Sequence, residues 1–392
     1  MDFTKSPFHL KGDLFMNEMT NRERIMAALN GKEVDRLPWA PLIDPYFINS
    51  LPLQGYDLNI IEAMRFIGND IIERHVSAVK VSTKNLNIRT EIKGGVTRTY
   101  FETPVGTLYS ETCTGGCTNY ISKYLLSSTK DIKILEYIAN NTEYTPDFEA
   151  FISRDKYIGN DGIATPSGPL SPIQEMLQSY AGIENTVYLM ADYPDEIDEL
   201  LNVLHERNKR HYRVLSKCPC GVIFDYEDTS TTVMSKNMYA KYSAPMIDDY
   251  AQIVHDGGKL FITHMCGKLT GFAEMIAQGN MDGIDSLCPP TTGDLYPWDA
   301  RRIFGGDKVI IGGIEPPALF RMSIEESIKT VIKVIKKMPS LKSFILSTGD
   351  AVPYGTPIKN MIAITKLLKT LGSASLTGEF DEKIAENITS GI

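Results

Sequence analysis

The sequence predicts a (β/α)8 barrel that carries an inserted β-hairpin region. Three observations lead there. From residue 162 onward, short runs rich in Val, Ile and Phe alternate with helical stretches, the pattern of parallel strands joined by crossover helices. Two earlier strand-like runs bring the number to eight, and most are followed by a helix. Polar and metal-ligating residues gather where the runs end, which is where such barrels keep their chemistry. A doubly wound open sheet is the rival arrangement.

Residues 1–19 read as an N-terminal arm, and residues 20–372 as the barrel. Thr20-Asn-Arg-Glu23 forms a capping box, and Ile25, Met26 and Leu29 give a short helix its apolar stripe. Residues 37–42 are the first strand, followed by a helix over 58–66 and a strand over 71–76. Residues 84–145 break the rhythm and read as an insertion. Apolar and polar residues alternate there around Lys93-Gly94-Gly95, which suggests an antiparallel hairpin. A further strand over 107–112 and a helix over 131–138 complete it.

Beyond the insertion, strands are expected at 162–165, 221–226, 260–264, 283–287, 309–314 and 344–347. Helices fall at 173–177 with 194–215, then at 236–255, 269–278, 296–304, 324–337 and 358–371. Ser323-Ile-Glu-Glu326 is a second capping box, and Pro357 marks the first turn of the last helix. The tail, 373–392, is polar and expected to pack loosely.

Composition bounds the function. The 392 residues carry 43% hydrophobic and 23% charged side chains and a net charge of −9, as a soluble globular protein does, with no basic footprint for nucleic acid. No apolar run approaches the roughly 18–20 residues of a membrane span, and the N-terminus lacks an apolar segment of signal-peptide type. Six cysteines in so long a chain do not make a disulfide framework, so a reducing cytoplasm is expected.

The stretch Lys259-Leu-Phe-Ile-Thr-His264-Met-Cys266-Gly267 is the centre of the functional reading. Residues two apart on a strand share a face, so His264 and Cys266 leave the strand side by side. Imidazole and thiolate are zinc's preferred donors, although a buried histidine beside an inert cysteine is the plainer alternative. The other strand ends contribute Asp44, Asp225, Glu227, Asp228, Asp285, Cys288, Glu315 and Asp350. Helix capping is an alternative role for Asp44, Asp228, Asp285 and Glu315. Asp225 and Glu227 share a face, are expected to look into the mouth, and are the candidate catalytic carboxylates. Asp350, just after the last strand, is the candidate third metal ligand, with Glu227 as the alternative, leaving a fourth position open. Cys218-Pro-Cys220 precedes a strand, at the structural end of the barrel, and reads as packing. Cys113 and Cys117 in the insertion read as structural.

With His264-Met-Cys-Gly267 at a strand end, the chain resembles the uroporphyrinogen decarboxylase superfamily, nearly end to end. The likeness runs through Asn21–Asn30, Asp35-Arg-Leu-Pro38, Gly168-Pro-Leu170, Met190–Glu196, Val309–Pro316, Ser347-Thr-Gly-Asp350 and Thr356–Asn360. The resemblance implies the same barrel. True decarboxylases carry an early arginine-rich signature, whereas the matching region here, Pro38–Tyr46, has no arginine. The resemblance therefore points to the other branch, zinc-dependent methyltransferases that work with corrinoid proteins, such as methylcobalamin:coenzyme M methyltransferases. That branch implies zinc on His264 and Cys266, and a later cysteine in a Gly-Cys-Gly-like motif. Here the later position is Gly349-Asp350-Ala351, an aspartate in place of the cysteine. One thiolate with one carboxylate makes a harder Lewis acid, better matched to oxygen than to sulfur.

The expected function is transfer of a methyl group between a small molecule, a methoxy compound being favoured, and a corrinoid. The chain lacks the Asp-x-His-x-x-Gly motif of corrinoid carriers, so the corrinoid is expected on a partner protein. Three alternatives stand beside it: a methylcobalamin:thiol methyltransferase, a carbon–carbon lyase, and a non-catalytic binding barrel. The lyase needs cations in the mouth, and Arg24, Arg36, Arg65, Arg74 and Lys268 are its candidates.

Overall fold

A computed structural model describes residues 18–115, 118–381, 383–384 and 388. Strands Val222–Glu227, Leu260–Met265, Gly283–Leu287, Val309–Ile314 and Phe344–Thr348 form one parallel sheet in chain order. Strands Ile71–Glu73 and Gly162–Ala164 form a second parallel pair. Two bridges join these pieces into a ring. Ser167 pairs with Phe224, linking the pair to the larger sheet. At the other side Trp39 pairs with Leu346, and the Asp70 amide donates to the Trp39 carbonyl at 2.8 Å. The predicted first strand is thus an extended segment that closes the barrel through a single bridge. Eight strand positions follow in sequence order around a closed parallel ring, as a (β/α)8 barrel requires.

Each strand of such a barrel is buried on both faces, so its residues divide by parity. One set faces inward: Ile72, Ile163, Val222, Phe224, Ile262, Ile311 and Ile345 form one cluster with Ile25, Ala28 and Leu29. The last three lie on the helix Asn21–Leu29, which plugs one end and begins with the predicted Thr20–Glu23 capping box. The other set faces the helices: Ile223, Phe261, Met265, Leu287 and Leu346 pack with Ile247, Val254, Ile328 and Ile364. Arg24 is buried in ion pairs with Asp35 at 2.6 Å and Asp70 at 2.7 Å, and Arg36 pairs with Asp70 at 2.9 Å. These pairs tie the plug to the first two strands.

The insertion is larger than a hairpin. Strands Val79–Thr83 and Thr142–Pro146 pair as an antiparallel stem. Between them Asn87–Lys93, Val96–Thr103, Gly106–Gly115 and Thr118–Lys123 form a four-stranded antiparallel meander. The predicted turn is there: Lys93 pairs with Val96 across Gly94 and Gly95, whose φ angles of 58° and 78° are those of a type I′ turn. The helix Thr129–Asn140, started by a Ser128–Asp131 capping box, follows the meander.

The helix expected over 236–255 is broken into Lys236–Met238, a π-helical turn Tyr239–Ser243 and Ala244–Asp256, with Pro245 at the last restart. A proline there removes a backbone donor, which forces the register change. In the tail, Ser375 is buried and its hydroxyl accepts from the Leu37 amide at 2.8 Å. The arm's residues 1–17 and Cys117 lie outside the described residues. No helix among the described residues is long and apolar enough to cross a membrane.

Candidate active site at the barrel mouth

Strand register decides what faces the mouth. His264 lies two residues past the inward-facing Ile262 and pairs with Tyr226 on one side and Asp285 on the other. Tyr226, His264 and Asp285 therefore form a row across three neighbouring strands. Asp225 and Glu227 have the opposite parity. They pair with Thr263 and Met265, and Met265 belongs to the helix-facing layer.

The expectation that Asp225 and Glu227 look into the mouth is therefore corrected. Glu227 accepts from the backbone amide of Ser171, from its hydroxyl at 2.7 Å, and from the Ser243 hydroxyl at 3.4 Å. Ser171 precedes the helix Pro172–Glu175 and Ser243 ends the π-helical turn, so this carboxyl stitches the strand to its helices. Asp225 is fully buried beside it. Burial, then the neighbouring Glu227 charge, pushes the Asp225 carboxyl well above the usual range. Burial pushes Glu227 from 4.5 up to about 7. A raised folded-state value means that Glu227 contributes stability fully below pH 4.5 and loses it as pH rises through about 7. Glu227→Gln is expected to flatten that decline, which is worth on the order of 3 kcal/mol. Urea midpoints measured from pH 4 to pH 8 check it, and identical slopes in wild type and variant would contradict it.

In the mouth itself, His264 Nδ1 lies 3.1 Å from Asp285 Oδ2. Arg74 clamps the same carboxylate, with Nη2 at 2.8 Å from Oδ1 and Nε at 3.1 Å from Oδ2. Burial works against an ionised Asp285, but the Arg74 guanidinium and then His264 outweigh it and hold the carboxyl well below its usual range. An ionised carboxylate only accepts, so the Nδ1 proton points at Asp285 and Nε2 is the ring nitrogen available to a ligand. The Tyr226 ring stacks on His264 at 4.9 Å, and His75 stacks on Tyr226 at 3.7 Å. His75 has a left-handed φ of 65°, and burial, then the His264 and Arg74 charges, pushes its imidazole down to about 4.

Cys266 stands beside two acids. Its thiol donates to Asp228 Oδ1 at 3.8 Å. Burial, then the Asp350 and Asp228 charges, raises the thiol well above its usual value. Burial and the Asp350 charge likewise raise Asp228. Gly267 has φ 87°, and a side chain there would come within 2.7 Å of Ser230, so glycine is needed directly after the cysteine. Asp350 follows Gly349, whose backbone packs so tightly on Cys288 that a Cβ would lie 2.8 Å from its sulfur. His264, Cys266 and Asp350 thus reach the same mouth, joined there by Asp228.

The donors suit a zinc ion in kind: an imidazole with its proton pinned away, a thiol, and two carboxylates whose charges raise that thiol. Among the described residues, no three His, Cys, Asp or Glu side chains stand close enough together to enclose a metal as they are. Asp44 caps the helix Pro45–Ser50 by accepting from the Phe47 amide, and Glu315 accepts from the Thr291 and Thr292 hydroxyls. Arg74, His75 and Tyr226 lie outside the residues that sequence reasoning assigns to a metal site. The parity of Tyr226 with Phe224 was the available signal, whereas nothing in sequence ties residue 74 to residue 285.

Fold and mouth together define an eight-stranded barrel with a thiol–imidazole–carboxylate cluster where the strands run out. The chain belongs to the uroporphyrinogen decarboxylase (URO-D) family, whose sequence profile matches residues 120–371. Among solved structures, a methyltransferase from Methanosarcina mazei is similar over 90% of this chain and 99% of its own, at 12% identity and a TM-score of 0.61. That likeness concerns the fold. D-psicose 3-epimerase from Clostridium cellulolyticum H10 aligns over 65% of this chain and 81% of its own at 13% identity, with a TM-score of 0.28, too low to argue from. No curated protein matches the sequence.

Proposed function

We propose that this protein is a zinc-dependent methyltransferase that moves a methyl group between a small molecule and a corrinoid carried on a separate protein. The observation that carries the reading is the pairing of a carboxylate-oriented His264 with Cys266, Asp228 and Asp350 at one barrel mouth. Family membership and a fold shared with a methyltransferase support it. The described cysteines are all free thiols, in keeping with a cytoplasmic setting.

His264 and Cys266 would hold the ion, with Asp350 or Asp228 as the third donor. A zinc ion bound there supplies Lewis-acid polarisation of a substrate atom at an open position. A single thiolate with a carboxylate favours an oxygen donor, so a methoxy compound is the preferred substrate. The surrounding residues keep the mouth in order. Asp285 remains ionised because Arg74 is fixed beside it, so the His264 ring cannot turn. Tyr226, held between His75 and His264, walls the site with aromatic surface.

The lyase reading needs free cations, and the structure leaves few. Arg24 and Arg36 are committed to Asp70, Arg65 to Asp161, and Arg74 to Asp285, while Lys268 is exposed. The test mixes metal-loaded protein with reduced cobalamin, free or on its carrier, and a panel of methoxy compounds, methylamines and thiols, following cobalt absorbance. Methylation of cobalt by a methoxy donor is expected. Thiols demethylating methylcobalamin, with every donor inert, would reverse the direction. No change with any compound would favour the lyase or the binding barrel.

A further inference from the structure

The meander of the insertion begins on a strand that is paired on one side only. Among the described residues, Asn87–Lys93 bonds to Val96–Thr103 and forms an edge of the four-stranded sheet. All seven of its residues are exposed. Lys93 and Val96 flank a two-residue turn, so they exchange both backbone hydrogen bonds, as do the pairs Glu91–Arg98 and Arg89–Tyr100. Ile88, Thr90 and Ile92 fall between these pairs and turn their N–H and C=O groups to the open edge.

This edge is complementary to itself. Read antiparallel about Thr90, the strand sets Ile88 against Ile92 and Arg89 against Glu91. The outward groups of Ile88, Thr90 and Ile92 then meet those of Ile92, Thr90 and Ile88, and each finds a partner. Arg89 and Glu91 already form an ion pair within the strand, so two copies complete a square of four charges that alternate in sign. Charges on a free edge usually repel a second strand, but this order attracts one. On the other face, an apolar row runs from buried Leu108 through half-buried Phe101 to Ile88. It ends in solvent, with Ile88 57% and Ile92 77% exposed. A second copy extends the row with its own Ile92.

We propose that Asn87–Lys93 joins two copies of this chain, antiparallel and in register about Thr90, so that their meanders form one continuous sheet. The contact is isologous and closes as a two-fold dimer. One pair of strands buries little area, so association in the micromolar range is expected. The interface lies on the insertion and does not depend on the methyltransferase reading.

Sedimentation velocity over the micromolar range is expected to show a dimer that grows with concentration. Thr90→Pro removes a donor that points away from Val96–Thr103, so the meander keeps its bonds and the dimer is lost. Arg89→Glu sets acid against acid and Glu91→Arg base against base, each weakening association on the order of tenfold. An equimolar mixture of those two variants should restore it, because opposite charges face each other again. Under oxidation, Thr90→Cys is expected to cross-link beyond the wild-type background, its two Cα atoms standing about 5.5 Å apart. Ile88→Cys is not, since the two copies of that position stand about 13 Å apart. A wild type that stays monomeric, a dimer that survives Thr90→Pro, a mixture no tighter than its components, or cross-linking of Ile88→Cys as ready as that of Thr90→Cys would each overturn the proposal.

Discussion

Replacing Cys266 with alanine is expected to empty the barrel mouth of zinc. The thiol stands within 3.8 Å of Asp228 and in the field of Asp350, so ionising it without a cation would put three negative charges together. A metal removes that conflict, and without the sulfur only His264 and carboxylates remain to hold one. Losing a partner outside the coordination shell typically weakens metal binding about 10–100-fold, and loss of a direct ligand exceeds that. Elemental analysis of zinc-replete protein before and after dialysis makes the comparison. Equal zinc in wild type and Cys266→Ala would remove Cys266 from the site.

The second large effect is expected from Asp285→Asn. Asp285 is fully buried between Arg74 and His264 and, among the described residues, is the only ion-pair partner of either head group. An amide cannot balance the guanidinium, so the variant leaves a buried charge uncompensated, at a cost of about 3–5 kcal/mol. It also frees the imidazole to turn or to change tautomer. Zinc affinity should therefore fall about 10–100-fold alongside the loss of stability. Urea denaturation and a chelator competition read the two effects separately. A stable variant with wild-type zinc affinity would show that the Arg74–Asp285–His264 chain does not orient the site.

The barrel was legible because runs such as Val222-Ile-Phe and Val309-Ile-Ile are β-branched or aromatic, bounded by glycine, and followed by helical periodicity. The first strand was legible in position only, since Leu37–Leu42 owes its strand character to tertiary closure through Trp39. Same-face spacing gives Cys266 the inward parity that His264 shares with Ile262. It failed for Asp225 and Glu227 for a physical reason. When both faces of a strand are buried, alternation shows that two residues share a face but not which face looks inward. Only the register against Ile262 and Thr263 settles it, and that register makes Tyr226 and Asp228 the residues of the mouth. The Arg74 clamp crosses the barrel between residues 211 positions apart, a contact no local pattern encodes.

Metal-dependent methyl transfer at this mouth is tested most directly by stripping the protein with a chelator and restoring zinc while cobalt absorbance reports the methylation of reduced cobalamin by a methoxy donor. The rate should vanish with the metal, return with zinc in the wild type, and stay absent in Cys266→Ala. Full activity in the stripped protein, or in Cys266→Ala, would contradict it.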